Sequence, residues 1–258
     1  WSWVHNGMDE FIHEYITGLG FAPFYKHIVE KSMRNAAALI VSNEWSREEF
    51  YHYNHNTQVI PGGVDTKLYH PATELPNRSD DSRMIIFMSG RVHDPRKGAG
   101  IVREAAEILS KRRNDFRILF TDPNKFEDGI YSSTGWLNRE QLAEAYRQSD
   151  IAVIPSQWHE PFGLVTLEAM ASGIPVVGTA VGGINDTIRH GYNGFKFPFG
   201  RADILAEQLG YLMDNPGLRK SMGYNGRMLA DTLYTWESII ENHYIPLLTQ
   251  VVEDFKKQ

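Results

Sequence analysis

From about Arg83 onward, apolar runs of strand length alternate with amphipathic stretches of helical length, and this alternation leaves few folds open. "RMIIFMSG" is apolar throughout and ends at Gly90; "FRILFTD", "DIAVIPS" and "IPVVGTA" repeat the pattern. A strand that is apolar at successive positions must be covered on both faces, unlike the in–out alternation of a half-solvated sheet. Between these runs lie helical stretches. One runs from about Ala99 to Arg113 with Ile101, Val102, Ala105, Ile108 and Leu109 on one face, and "REQLAEAYRQS" is opened by Asn138 with Gln141 three residues on. "LVTLEAMAS" is stopped by Gly173. The pattern predicts an α/β fold: a Rossmann-like parallel sheet with helices on both faces, its ligand site beyond the carboxyl ends of the strands.

The loops at those ends are where polar chemistry gathers. They read "SGRVHDPRKG", "TDPNKF", "PSQWHEPFG" and "GTAVGG". In the first, Arg91 directly follows the strand and Lys97 precedes a helix. Arg91 offers a planar fork of donors for phosphate oxygens and Lys97 a compact charge. The G-x-x-x-x-G-K-[ST] pattern of a Walker loop is missing. In the third loop, Glu160 stands just before Pro161, Phe162 and Gly163. Leu164 then opens a helix that carries Glu168 on its second turn. The first amides of that helix, at Gly163, Leu164 and Val165, are free to hold an anion. Carboxylates accept well from sugar hydroxyls and poorly meet phosphate. An acid on either side of an anion cradle therefore suits a ligand that is anionic in the middle and polyhydroxylated at both ends. A nucleotide sugar has that form. A helix cap beside a surface glutamate is the plainer alternative.

Composition narrows the classes further. With 42% hydrophobic and 22% charged residues the chain reads as globular, and a net charge of −6 gives no general reason to bind nucleic acid. The local basic run Arg91, Arg96, Lys97, Arg103, Lys111, Arg112, Arg113, Arg117 reads mostly as solvated helix charge. The absence of cysteine removes disulfides, thiolate nucleophiles and Cys-ligated metals. No Asp-x-Asp cluster lies near the proposed site to hold a divalent ion, so neither a metal nor a cofactor is expected. No run of about 18 apolar residues is present for a membrane span. The expected location is the cytoplasm, with peripheral membrane attachment of a full-length protein also allowed.

Residues 1–62 hold helical "YKHIVEKSMRNA" and "WSREEFYHY" and strands "ALIVS" and "TQVIPGG". "HPATELPNRSDDS" (70–82) is rich in Pro, Ser and Asp and reads as a linker. Residues 201–258 read as helices, the last from about Trp236 with Trp236, Ile239, Ile240, Leu247, Leu248, Val251 and Phe255 on one stripe. The chain begins at Trp1 and its first methionine is Met8, which sets the expectation of a piece of a longer protein.

"VIPGGVDTKLYHP", "SGRVHDPRKG", "GWLNREQLAEAYRQSDIAVIPS", "EPFGLVTLEAMASGIPVVGTAVGG" and "GYNGFKFPFG" occur in this order. Together they resemble the donor-binding half of the retaining, metal-independent glycosyltransferases of family 4, which have the two-domain GT-B fold. The likeness covers roughly residues 36–258. It implies that 1–69 is the end of an amino-terminal, acceptor-side domain, 83–235 the nucleotide-sugar donor domain and 236–258 a helix crossing back. It also implies that Arg91 and Lys97 bind the diphosphate, that Glu168 binds ribose hydroxyls and that Glu160 faces the transferred sugar. Phe162, Gly163, Leu164 and Val165 would cradle sugar and phosphate by their backbone, Trp136 and Leu137 would meet the base, and His5 would reach the donor sugar. Three departures stand out: Gly62 in place of the usual Asn, Asn185-Asp186 in place of a common Pro-Glu pair, and His93-Asp94 in an apolar or Pro/Glu position. They leave the phosphate contacts alone but weaken any transfer of sugar specificity.

The expected function is transfer of a sugar from a UDP-, GDP- or ADP-sugar to an acceptor hydroxyl with retention, the acceptor being a glycan, lipid or small molecule. A nucleotide-sugar-binding module without turnover is the alternative. A nicotinamide oxidoreductase is a weaker one, since "SGRVHDPRKG" lacks the G-x-G-x-x-G turn.

Overall fold

A computed structural model of the chain describes residues 22–73 and 82–257. Its larger sheet is built from β3 (Met84–Met88), β4 (Phe116–Phe120), β5 (Glu127–Asp128), β6 (Tyr131–Ser133), β7 (Ile151–Ile154), β8 (Val176–Thr179) and β9 (Gly194–Phe197). The spatial order is β5-β6-β4-β3-β7-β8-β9, and every pairing is parallel except the edge pair β5–β6. The chain steps outward from β3 to β4 and β6, then returns past β3 to lay down β7, β8 and β9. The winding therefore reverses between β3 and β7. A crevice opens at such a reversal, because the loops leaving the two strands turn to opposite faces.

The continuous apolar runs end up divided between two cores. Ile86 and Met88 of β3 pack on one face with α3 (Ala99–Ser110) and α7 (Ala202–Asp214), through Val102, Ala105, Leu205 and Leu209. Phe87, between them, points to the opposite face, against Tyr146 of α4 (Arg139–Arg147) and Leu167 and Met170 of α5 (Leu164–Ala171). All of these side chains are fully or nearly fully buried, and each contributes about 1.5–3 kcal/mol of transfer free energy for the larger ones. α6 (Gly182–Thr187) and α8 (Pro216–Leu233) complete the covering layers.

A second, two-stranded parallel sheet pairs β1 (Leu39–Val41) with β2 (Thr57–Val59), flanked by α1 (Ala22–Asn35) and α2 (Glu44–Phe50). Four expectations need correction or addition. The helix expected to reach Arg113 ends at Ser110, where the amides of Arg112 and Arg113 turn back to the Leu109 carbonyl. Arg113 is then not a solvated helix charge, for it bonds Asp115 at 2.7 Å and Asp214 at 2.9 Å. The last helix is broken into α9 (Trp236–Ile239), a π segment (Ile240–Tyr244) and α10 (Ile245–Lys256). The wider π turn rotates the stripe out of register, so Ile239 and Leu247 are buried against Ile60 while Trp236, Ile240, Leu248 and Phe255 stay exposed. Strands β5, β6 and β9 and helix α6 had no periodic signal long enough to announce them. Residues 74–81 of the expected linker lie outside the described residues.

Candidate functional site

The crevice between the carboxyl ends of β3 and β7 holds a cavity of about 280 Å³. Its walls include Ser89 and Gly90 from the end of β3, Pro155 and Ser156 from the end of β7, and Lys97, Glu160 and Phe162–Val165. Of the residues singled out in the sequence, this brings together Lys97, Glu160, Phe162, Gly163, Leu164 and Val165.

The β3 loop is shaped by backbone chemistry. Gly90 adopts φ 104°, which favours glycine, and its N–H and C=O both bond the Thr121 hydroxyl at 2.8 Å. Asp94 caps a 3₁₀ turn, Pro95–Lys97, by accepting from the Arg96 amide at 3.0 Å. The guanidinium of Arg96 beside Asp94 also holds this carboxyl below its usual range. Gly98 follows at φ 81°, and a Cβ there would lie 1.9 Å from the Pro155 carbonyl oxygen. Only glycine lets the two loops approach so closely, and this contact brings Lys97 to the mouth of β7.

Lys97 and Glu160 form an ion pair across that gap. The Nζ atom lies 2.8 Å from Oε1 and 2.9 Å from Oε2. Oε2 also accepts from Trp158 Nε1 at 2.7 Å and from Ser156 Oγ at 3.2 Å. After Glu160 the chain turns through Gly163 at φ 79°, which stands at the N-cap of α5 with no side chain capping it. The leading amides of α5 therefore face the cavity without a side-chain acceptor. Gly182 and Gly183 back this loop: a Cβ on Gly182 would meet the Glu160 carbonyl oxygen at 2.3 Å, and one on Gly183 the Phe162 Cα at 2.4 Å. The Gly183 amide donates to the Glu160 carbonyl at 2.8 Å.

Arg91 is exposed and is not among the cavity-lining residues; it sits at the rim, next to Gly90. Trp136 is exposed too, with its ring edge-on to His93 at 6.3 Å, so the "GWLN" segment adjoins the β3 loop. Leu137 is half-buried, and Asn138 forms the expected capping box with Gln141. His5 lies outside the described residues.

Glu168 is not in the cavity wall. It is largely buried one turn deeper, where the Tyr69 hydroxyl donates to Oε1 at 3.1 Å. Burial raises its pKa above the usual carboxylate value; the Tyr69 hydroxyl, the Arg139 charge and the Tyr146 hydroxyl offset part of that rise. Its Oε2 is buried with no well-formed hydrogen bond. The Tyr146 hydroxyl bonds the Val165 carbonyl at 3.2 Å and Ser89 Oγ at 2.6 Å, which joins the cavity wall to this acid. Tyr69 and Tyr146 had no signal in sequence: one precedes a linker and the other reads as a core position of a helix.

The smaller sheet also reaches the site. Ser42 Oγ donates to the Pro161 carbonyl at 2.8 Å, and the Asn43 amide donates to the same oxygen while its Oδ1 caps α2 through Ser46. Trp45 stacks on His159 with ring centroids 4.4 Å apart. Both residues of the Asn185-Asp186 departure acquire partners here. Asp186 Oδ2 accepts from the Glu44 amide at 3.0 Å, and Asn185 Oδ1 accepts from Lys196 Nζ at 3.0 Å. Another departure, Gly62, lies so close to Phe162 that a Cβ would be 2.8 Å from its ring. Among the described residues there is no group of three or more His, Asp or Glu able to hold a metal, and no helix long and apolar enough to cross a membrane.

Comparison with known proteins gives consistent matches. The family model described as Glycosyl transferases group 1 matches residues 73–228. D-inositol 3-phosphate glycosyltransferase of Pseudarthrobacter chlorophenolicus is 27% identical over 256 residues, covering 86% of this chain and 60% of that protein. Sucrose-phosphate synthase from Thermosynechococcus elongatus superposes with a TM-score of 0.70 at 28% identity, over 87% of this chain and 61% of that one. Anabaena HepE, solved with UDP and glucose, superposes at 0.73 with 20% identity, over 95% and 68%. These neighbours place the α/β architecture among GT-B folds. The chain spans about three fifths or less of the length of the first curated relatives it matches.

Proposed function

This chain belongs to the group 1 glycosyltransferase family, and from that premise we propose that it binds a nucleotide-diphosphate sugar and serves its transfer to an acceptor hydroxyl with retention of configuration. One observation carries the reading. The cavity at the β3/β7 reversal joins a lysine, a glutamate and the uncapped amides of a helix start within a single wall. A diphosphate supplies acceptors for the lysine and amides, and a sugar supplies hydroxyls for the acid.

On this reading Lys97 and Arg91 offset the charge that grows on the leaving diphosphate, with Arg91 closing over it from the rim. Glu160 orients the sugar and stabilises positive character at the anomeric carbon. The acceptor hydroxyl attacks from the face the leaving group departs, and a phosphate oxygen takes its proton. Glu168, held by Tyr69, serves the ribose, and Trp136 with Leu137 the base. This assigns the chain to the retaining, metal-independent family 4 type, with its amino-terminal segment as the acceptor side and its last helix returning to that side. Ile239 and Leu247 against Ile60 support the return.

Thermal-shift and calorimetric titration with UDP, GDP, ADP and their glucose and mannose conjugates tests the proposal. One nucleotide series should stabilise the chain saturably, its diphosphate binding more tightly than its nucleoside. No stabilisation by any of the three series would overturn it.

A further inference from the structure

Trp158 touches both members of the ion pair through two different parts of one ring system. Its indole N–H donates to Glu160 Oε2 at 2.7 Å, and its face lies 5.2 Å from Lys97 Nζ. The Arg96 guanidinium covers the same ring at 5.3 Å. The segment around the indole is pinned independently of it. The Gln157 amide donates to the Arg96 carbonyl at 2.6 Å, Thr179 Oγ1 to the Ser156 carbonyl at 2.8 Å, and Gly183 N to the Glu160 carbonyl at 2.8 Å. The half-buried indole is not part of the apolar cores. Its position is thus explained by the charged side chains it meets, Glu160, Lys97 and Arg96.

The distribution of donors on the carboxylate matters next. Oε2 receives Trp158, Ser156 and Lys97, whereas Oε1 receives Lys97 alone among the described residues. A bound diphosphate would compete for the Lys97 ammonium, since it offers several charged acceptors. Glu160 would then keep Trp158 and Ser156 on Oε2 and have Oε1 open. We infer that Trp158 is a positioning residue: its N–H fixes the Glu160 carboxylate with Oε1 turned to the transferred sugar, and its ring face steadies Lys97 at the phosphate end. The inference rests on the proposed role of Glu160 at the sugar.

Two variants separate the two parts of the ring. Trp158→Phe keeps the aromatic face and removes the N–H. Turnover should fall about tenfold, the usual weight of one hydrogen bond to a charged group, with diphosphate affinity within about twofold of wild type. Trp158→Leu removes the face as well and should also weaken the diphosphate severalfold. In a Glu160→Gln background, Trp158→Phe should cost no further turnover, because it acts through that carboxylate. Wild-type turnover in Trp158→Phe, or losses that simply multiply in the double variant, would overturn the inference while leaving the role of Glu160 intact. Wild-type turnover in Glu160→Gln would instead overturn the role of Glu160 itself. A measurement that needs no change at Trp158 follows the indole N–H resonances of the six tryptophans. One should shift and exchange faster with water in Glu160→Gln, and no change in any of them would refute the hydrogen bond.

Discussion

Lys97 places its ammonium 2.8 Å from Oε1 and 2.9 Å from Oε2 of Glu160, a residue 63 positions further along the chain. In sequence the two belong to different loops and are assigned to different parts of a ligand. In the folded chain each is the other's counter-ion, with side chains only 20% and 13% exposed. The site thus holds its cation and its acid in place before any ligand arrives.

The two cations should behave differently. Lys97→Ala removes an ordered, partly buried contact and should weaken nucleoside diphosphate binding by about tenfold or more, a loss of roughly 1.5–3 kcal/mol. Arg91→Ala acts at the exposed rim, so its loss should be of the same sign but should shrink more steeply with added salt. Calorimetry with diphosphate and free nucleoside at two salt concentrations measures both; unchanged diphosphate affinity in both variants would refute the phosphate assignment.

The two glutamates should fail in opposite ways. Glu160→Ala frees Lys97, so diphosphate affinity should hold or rise while sugar turnover drops sharply, the pattern of an interaction made in the transition state. Glu168→Ala should weaken diphosphate and nucleotide sugar alike, because both carry the ribose. Equal losses for both ligands in both variants would remove this division of roles.

Glu168 also gives a pH signature. Burial raises its pKa in the folded chain, so between the ordinary carboxylate value and that raised value the folded state holds more protons than the unfolded one. Stability from this group therefore falls as pH rises through that window. Glu168→Gln should raise the melting temperature at pH 7, with the gain vanishing at pH values below the ordinary carboxylate pKa, and should lose nucleotide affinity. An unchanged melting temperature at pH 7 would refute this cost, and a lowered one would show that the acid stabilises the fold.

Glycines behind the Glu160 loop should be intolerant. A methyl on Gly183 would meet backbone atoms of Phe162 at 2.4–2.8 Å, so Gly183→Ala should destabilise by about 1–3 kcal/mol and weaken donor binding as the loop shifts. Gly100, in α3 with nothing within 4 Å of its Cβ position, is the control: Gly100→Ala should stabilise by about 0.5–1 kcal/mol. Chemical denaturation of the two variants checks the opposite signs.

Metal should not be needed for activity. On the proposed reading, Lys97 and the α5 amides of the cavity wall, with Arg91 beside Gly90, supply the positive charge a diphosphate needs. Transfer by the protein should survive EDTA, and a strict requirement for manganese or magnesium would count against the family 4 reading.

The sequence by itself determined the layered sheet and the loops that carry the chemistry. Apolar runs such as Met84–Met88 have no other way to be buried, and their ends must then lie together at one edge of a parallel sheet. It also determined local devices within a few residues' reach, such as the Asn138–Gln141 capping box. Only the tertiary structure decided which side chains meet. Lys97 with Glu160, Tyr69 with Glu168, Ser42 and Asn43 with Pro161, and Trp158 beneath the ion pair all depend on rotamers and on segments distant in sequence. The short pieces β5, β6, β9 and α6 were decided there too, because two to six residues carry too little periodicity to outweigh the neighbours they pack against. Periodicity records which face of an element is buried; it holds no record of what lies across the gap.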